Sequence, residues 1–150
     1  MLVFVQLVLL LLLFAVPGPD TFRSSTPVRV VGLAFQLIGV VLIGASALGL
    51  GRRLTAHPQP NGRGSLQRSG LYGLMRHPMY SGVMALAVGS TLTRVSWLRI
   101  AACLALCLLF NGKSRFEERE LASHSPECLQ YAAKTPRFIP LGRLLRRHQQ

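Results

Sequence analysis

Two short strings concentrate the polar chemistry of this chain. Arg76-His77-Pro78-Met79-Tyr80-Ser81-Gly82 stands at the entrance of an apolar stretch, and Glu117-Glu118-Arg119-Glu120 follows the next one. Ionisable groups beside hydrocarbon are costly and are kept by a partner or a ligand. The two strings therefore read as two walls of one ligand site. Pro78 suits the first residue of a helix, where its missing N–H costs nothing, with His77 at the cap. A helix start offers free N–H groups and a partial positive charge, which suit a small anionic group such as a carboxylate. Arg76 adds charge there, and Tyr80 adds a ring and a hydroxyl. On the other wall, Lys113 with Glu117 and Arg115 with Glu118 have helical pair spacing, as on a solvated, salt-bridged helix. The acids are Asp20, Glu117, Glu118, Glu120 and Glu127, so all but one lie after residue 116. That crowding favours a ligand that is cationic or carries hydroxyls, because carboxylates only accept.

A cofactor with a carboxylate, an ammonium, a ribose diol and a sulfonium meets donors on the first wall and carboxylates on the second. S-adenosylmethionine has that set; nicotinamide and other nucleotide ligands can use the same pieces.

The elements that must hold these strings are membrane helices. Half of the 150 residues are hydrophobic and the mean hydropathy is +0.39, too apolar for an ordinary soluble domain of this size. The expectation is a single all-α polytopic membrane domain over 1–150, with spans at about 2–16, 28–50, 78–93 and 96–111 and a cytoplasmic C-terminal helical segment. Leu2 to Val16 lacks a basic flank and a cleavage site, so it reads as a retained span. Val28 to Leu50 is long enough to cross, and Gly39, Gly44, Ala45 and Gly49 let helices approach closely. Met79 to Leu92 and Trp97 to Phe110 are short, so they must draw in flanking residues, thin the bilayer or sit partly re-entrant. They read as a tight hairpin turning at Thr93-Arg94-Val95-Ser96, with Trp97 at the interface.

The net charge of +12 comes without a nucleic-acid-reading motif, so anionic lipid headgroups are the expected counterpart and nucleic acid is not. Of 17 Lys and Arg residues, 13 fall between spans two and three or after span four, which places both strings and both termini in the cytoplasm. Thr55 to Gly70, with Pro58, Pro60, Asn61-Gly62 and Gly64, reads as an irregular lid or connector. Three cysteines give no disulfide framework. Cys103 and Cys107 share a helix face without His or Cys companions and read as packing residues, and no metal site is expected. His57, His124 and His148 lie in polar segments and read as solvated.

Gly70-Leu71-Tyr72, the Arg76 to Gly82 string, Glu117-Glu118, and Tyr131 with Thr135-Pro136-Arg137-Phe138-Ile139-Pro140 together resemble the isoprenylcysteine carboxyl methyltransferase family of integral membrane enzymes, which is related to phospholipid methyltransferases. The resemblance covers about Leu54 to Leu141. It implies S-adenosylmethionine bound on the cytoplasmic side by Leu66, Gln67, Tyr72, His77, Pro78, Met79, Tyr80, Glu117 and Glu118, with a lipophilic acceptor arriving from the bilayer. It also implies a substrate-carboxylate contact at Lys113, where the family has arginine, beside Arg76. Lysine lacks the bidentate fork of that arginine.

These readings converge on a membrane methyltransferase acting on a lipophilic acceptor, in the first instance an isoprenylcysteine-like carboxylate. Such an acceptor is already ionised and needs no base, so no catalytic residue is nominated; for an amine or thiol acceptor, His77 or Glu118 would take the proton. Two other readings stand beside it. One is a nicotinamide-dependent reductase of the sterol-reductase type, and the other is a non-enzymatic membrane scaffold.

Overall fold

A computed structural model describes residues 2–15, 24–50, 70–124 and 135–138. Their regular elements are five α-helices: α1 (Leu2–Phe14), α2 (Thr26–Leu50), α3 (Leu71–Leu74), α4 (Pro78–Thr93) and α5 (Trp97–His124). The chain forms two compact units, one of Met1–Val41 with Gly82–Lys113, the other of Leu42–Ser81 with Ser114–Gln150.

Helix starts follow local chemistry. The Ser96 carbonyl accepts from Ile100 N at 3.0 Å and its hydroxyl accepts from Arg99 N at 3.3 Å, so Ser96 is the N-cap of α5. At the start of α4 the His77 carbonyl accepts from Ser81 N at 3.0 Å, which makes His77 the cap and Pro78 the first helical residue, as the sequence predicts.

In the first unit, α2 and α4 run antiparallel along a seam of glycines seven residues apart. A Cβ on Gly89 would lie 2.5 Å from the Gly32 carbonyl oxygen, and one on Gly39 would lie 2.6 Å from the Gly82 oxygen. Backbones this close leave no room for side chains. The seam ends in hydrogen bonds from Gln36 Nε2 to Thr93 Oγ1 (3.2 Å) and from Ser24 Oγ to the Leu92 carbonyl (2.8 Å). Of the small residues expected to make this approach, Gly39 does so. Gly44 and Gly49 have nothing within 4 Å of a built Cβ, while Gly32 and Gly89 complete the seam. The unit's core contains Leu13, Ala87, Ala102, Cys103, Leu106 and Phe110. Arg99 is buried among them and donates from Nη1 to the Leu13 carbonyl at 2.6 Å, a cation at the C-terminal end of α1.

Among the described residues, two helices are long and apolar enough to cross a membrane, Thr26–Gly49 and Trp97–Glu120, each of 24 residues. At 1.5 Å per residue each reaches about 36 Å, beyond the roughly 30 Å of hydrocarbon. The outward side chains of α2, including Val30, Leu33, Leu37, Val40 and Val41, are exposed and apolar, as a lipid-facing surface requires. α1 is apolar but spans 13 residues, and α4 has 16. The expected hairpin is present, with residues 94–96 between α4 and α5. Its second arm is much longer than the apolar run Trp97 to Phe110, because α5 continues unbroken through the glutamates to His124.

The second unit holds the polar strings. α3 is a single turn opened by Gly70 at φ +64°, a conformation that costs glycine nothing. Met75 is then extended, and His77 precedes a proline, which disfavours helix at that residue. The chain therefore passes between α3 and α4 in an open conformation, with its backbone available to a neighbour. That neighbour is the segment 135–138: Arg76 N donates to the Pro136 carbonyl (2.9 Å) and His77 N to the Arg137 carbonyl (3.1 Å).

Candidate functional site

Glu118, on α5, is the centre of the polar cluster. Its Oε2 lies 2.9 Å from Arg76 Nη1 and 2.7 Å from Arg137 Nη2, while its Oε1 accepts from Arg137 Nε at 2.9 Å and lies 3.1 Å from His77 Nε2. A carboxylate has about four acceptor positions, and these four contacts use them. The two strings thus touch directly: Arg76 and His77 of one wall are bound to Glu118 of the other. Arg115, the helical-spacing partner expected for Glu118, is exposed instead.

Glu117 differs from its neighbour. Its Oε1 accepts from the Tyr80 hydroxyl at 2.7 Å, its Oε2 lies 3.8 Å from His77 Nδ1, and its side chain is 34% exposed against 17% for Glu118. Glu117 therefore keeps acceptor capacity on an accessible side.

His77 lies between the two carboxylates. Its ring stacks on Tyr80, with centroids 5.3 Å apart and planes 5° from parallel, and Phe138 lies 6.1 Å away at a 43° tilt. Burial pulls its proton affinity below the usual imidazole value, outweighing the opposite pull of Glu117 and Glu118. The neutral ring has one N–H. Because Glu118 only accepts, that proton belongs on Nε2, which leaves the Nδ1 lone pair on the Glu117 side.

The segment 135–138 closes the cluster. Ser81 Oγ donates to the Phe138 carbonyl at 2.8 Å, beside the backbone bonds to Arg76 and His77. Arg76 Nε is buried with no hydrogen-bond partner, an orphaned donor in an otherwise well-paired cluster.

Residues 28–124 match the family model of phospholipid methyltransferases. The chain belongs to that family. The resemblance carried by the Arg76 to Gly82 string and the glutamate pair agrees with this membership. The chain is also similar to the cobalt-zinc-cadmium resistance protein CzcN of Cupriavidus metallidurans, with 32% identity over 109 residues, 69% of this chain and 49% of that protein. It thus spans about half the length of the curated relative it matches. No solved structure matches the chain. Together with two helices among the described residues that are long and apolar enough to cross a bilayer, family membership supports a membrane protein. Among the described residues, no group of three or more His, Cys, Asp or Glu side chains is placed to hold a metal ion.

The residues expected from the sequence are distributed as follows. His77, Pro78, Met79, Tyr80, Glu117 and Glu118 come from the meeting ends of α4 and α5, Arg76 lies just before α4, and Tyr72 is on α3. Lys113 is on α5, one turn before Glu117. Leu66, Gln67 and most of the loop from Thr55 to Gly70 lie outside the described residues, as do Tyr131, His57 and His148. Sequence reasoning did not assign a role to Arg137, Phe138 or Ser81. For Arg137 the available signal was its place in the Thr135 to Pro140 string that carries the family resemblance.

Proposed function

We propose that this chain is a membrane-embedded methyltransferase that uses S-adenosylmethionine and methylates a lipophilic acceptor, with both termini and the site on the cytoplasmic side of four membrane segments. The observation that carries the reading is a complementary pair of unmet demands in one cluster. Arg76 Nε is a buried donor lacking an acceptor, and Glu117 is an accessible carboxylate with acceptor capacity left. A ligand bearing both a carboxylate and an ammonium answers both, and the amino-acid end of S-adenosylmethionine is such a group. Family membership supports the same reading.

When bound, this cofactor supplies an electrophilic methyl group on sulfonium. Arg76 and Glu117 would hold its charged end, and the stacked His77 and Tyr80 rings would provide an apolar face beside it. Glu118, spanned by two guanidiniums, holds the neighbouring side chains in place rather than facing the ligand. A lipophilic acceptor would reach such a site from the bilayer rather than through water.

The acceptor class follows from whether a base is present. A carboxylate acceptor needs none, whereas an ammonium must lose a proton before it can attack. His77 Nδ1 is suited to take it, because the ring is neutral and Glu117 stands 3.8 Å away to stabilise the imidazolium. This favours an amine headgroup as acceptor, in line with the family, over the prenylated carboxylate expected from the sequence, whose arginine clamp is replaced by Lys113.

Calorimetric titration of S-adenosylhomocysteine into nanodisc-embedded protein tests the cofactor. Wild type is expected to bind, and both Glu117→Ala and His77→Ala to lose binding while remaining folded. Unchanged affinity in both variants rejects the assignment. Stabilisation by NADPH without any effect of S-adenosylhomocysteine would transfer it to the reductase class.

A further inference from the structure

The family match ends at residue 124, yet the cluster is completed by residues 135–138. We propose that Arg137 is a positioning residue of the site, gripping Glu118 with its guanidinium fork and His77 with its backbone carbonyl, and so fixing the orientation of the imidazole. The proposal rests on the reading of this cluster as the ligand site.

The geometry of Glu118 carries the argument. Arg137 places Nε on Oε1 at 2.9 Å and Nη2 on Oε2 at 2.7 Å, two parallel bonds that fix the plane of the carboxylate. Once the plane is fixed, one remaining acceptor position meets His77 Nε2 at 3.1 Å and the other meets Arg76 Nη1 at 2.9 Å. Loss of the fork lets the carboxylate rotate, and both contacts degrade together.

The same residue also holds the main chain of His77. Its carbonyl accepts His77 N at 3.1 Å, while the adjacent Phe138 packs its ring near the imidazole and binds Ser81 Oγ through its carbonyl. His77 is therefore fixed at backbone and ring by one short segment. The groups around the imidazole are Arg76 before α4, Tyr80 on α4, Glu117 and Glu118 on α5, and Arg137 acting through Glu118. A lysine in place of Arg137 preserves the charge and loses the fork.

The test uses histidine-labelled full-length protein in nanodiscs, read by NMR of the imidazole nitrogens without ligand, with the His77 signals assigned by their absence in His77→Gln. Arg137→Lys is expected to displace the His77 signals and lower the proton affinity of the ring, because a rotated Glu118 no longer holds the imidazole bond that raises it. Arg137→Gln, which removes fork and charge together, is also expected to displace the His77 signals, and it answers the question should the lysine variant not fold. Signals unchanged from wild type in a folded variant overturn the proposal.

S-adenosylhomocysteine titration of the same samples separates this from the cofactor reading. Loss of one charge-assisted bond predicts about tenfold weaker binding in Arg137→Lys. In a Glu118→Gln background the further effect of Arg137→Lys is expected to be under about twofold, since the two residues act as a unit. Effects that multiply would overturn the coupling. Absence of binding in wild type, with His77 still responding to Arg137, strikes out the cofactor and supports the positioning role.

Discussion

Tyr80 donates its hydroxyl to Glu117 at 2.7 Å, joining the first turn of α4 to the polar end of α5. This bond sits on the accessible flank of the cluster, while the Glu118 contacts form the more enclosed one. It gives the phenol two simultaneous tasks: its ring stacks on His77 and its oxygen fixes the carboxylate left available to a ligand.

Removing the hydroxyl alone should be measurable. Hydrogen bonds to charged groups contribute about 1.5–3 kcal/mol, and the partial exposure of Glu117 brings the expected loss for Tyr80→Phe to about 1–2 kcal/mol. The ring stack survives, so the variant should stay folded and melt at a lower temperature in detergent. Thermal unfolding followed by circular dichroism checks this; a melting temperature equal to that of wild type would mean the bond contributes nothing in solution.

Much of this arrangement was legible in the chain. The four main helices were predictable from apolar runs, Pro78 with His77 marked a helix start, and the short connection after Thr93 implied a hairpin. The convergence of the Arg76 string with the glutamate pair was legible from the rarity of carboxylates. What the residues did not disclose was that the strings neutralise each other. An Arg, a His and a pair of Glu read equally well as ligand contacts or as mutual partners, and only distance separates the two cases. Arg137 was hidden for the same reason: it lies 19 residues after Glu118, and nothing periodic links them. The glycine seam was half visible. Small residues on α2 announced a close approach, but the choice between Gly32 with Gly39 and Gly44 with Gly49 depends on where α4 crosses, which a local pattern does not encode.

That crossing predicts opposite outcomes for two glycines of α2 and α4. A Cβ on Gly89 would stand 2.5 Å from the Gly32 oxygen and 2.8 Å from the Gln36 nitrogen, both backbone atoms that cannot rotate away. Gly89→Ala should therefore force the helices apart, at about 1–3 kcal/mol for an overpacked contact. Gly44 faces open space, and Gly44→Ala should be neutral or gain up to about 1 kcal/mol from helix propensity. Unfolding of both variants in the same detergent decides the matter, and equal destabilisation would refute the seam.

The imidazole of His77 should make stability depend on pH near neutrality. Its burial holds the folded-state proton affinity below the unfolded value of about 6.5. Between the folded pKa and 6.5 the unfolded chain binds more protons than the folded one, so stability rises with pH there. The contribution is complete above the unfolded value, declines as the pH falls through 6.5, and is lost once the pH passes below the folded pKa. A titration restricted to pH 5.5–8 isolates histidine, the side chain whose ordinary pKa lies in that interval. Wild type should unfold more readily at pH 5.5 than at 8. His77→Gln, which cannot titrate, should show a shallower dependence than wild type even though it is less stable throughout. Unfolding midpoints measured at half-unit steps for both proteins test this. Parallel curves would assign the pH dependence to other groups and remove the argument for a neutral His77 able to accept a proton at Nδ1.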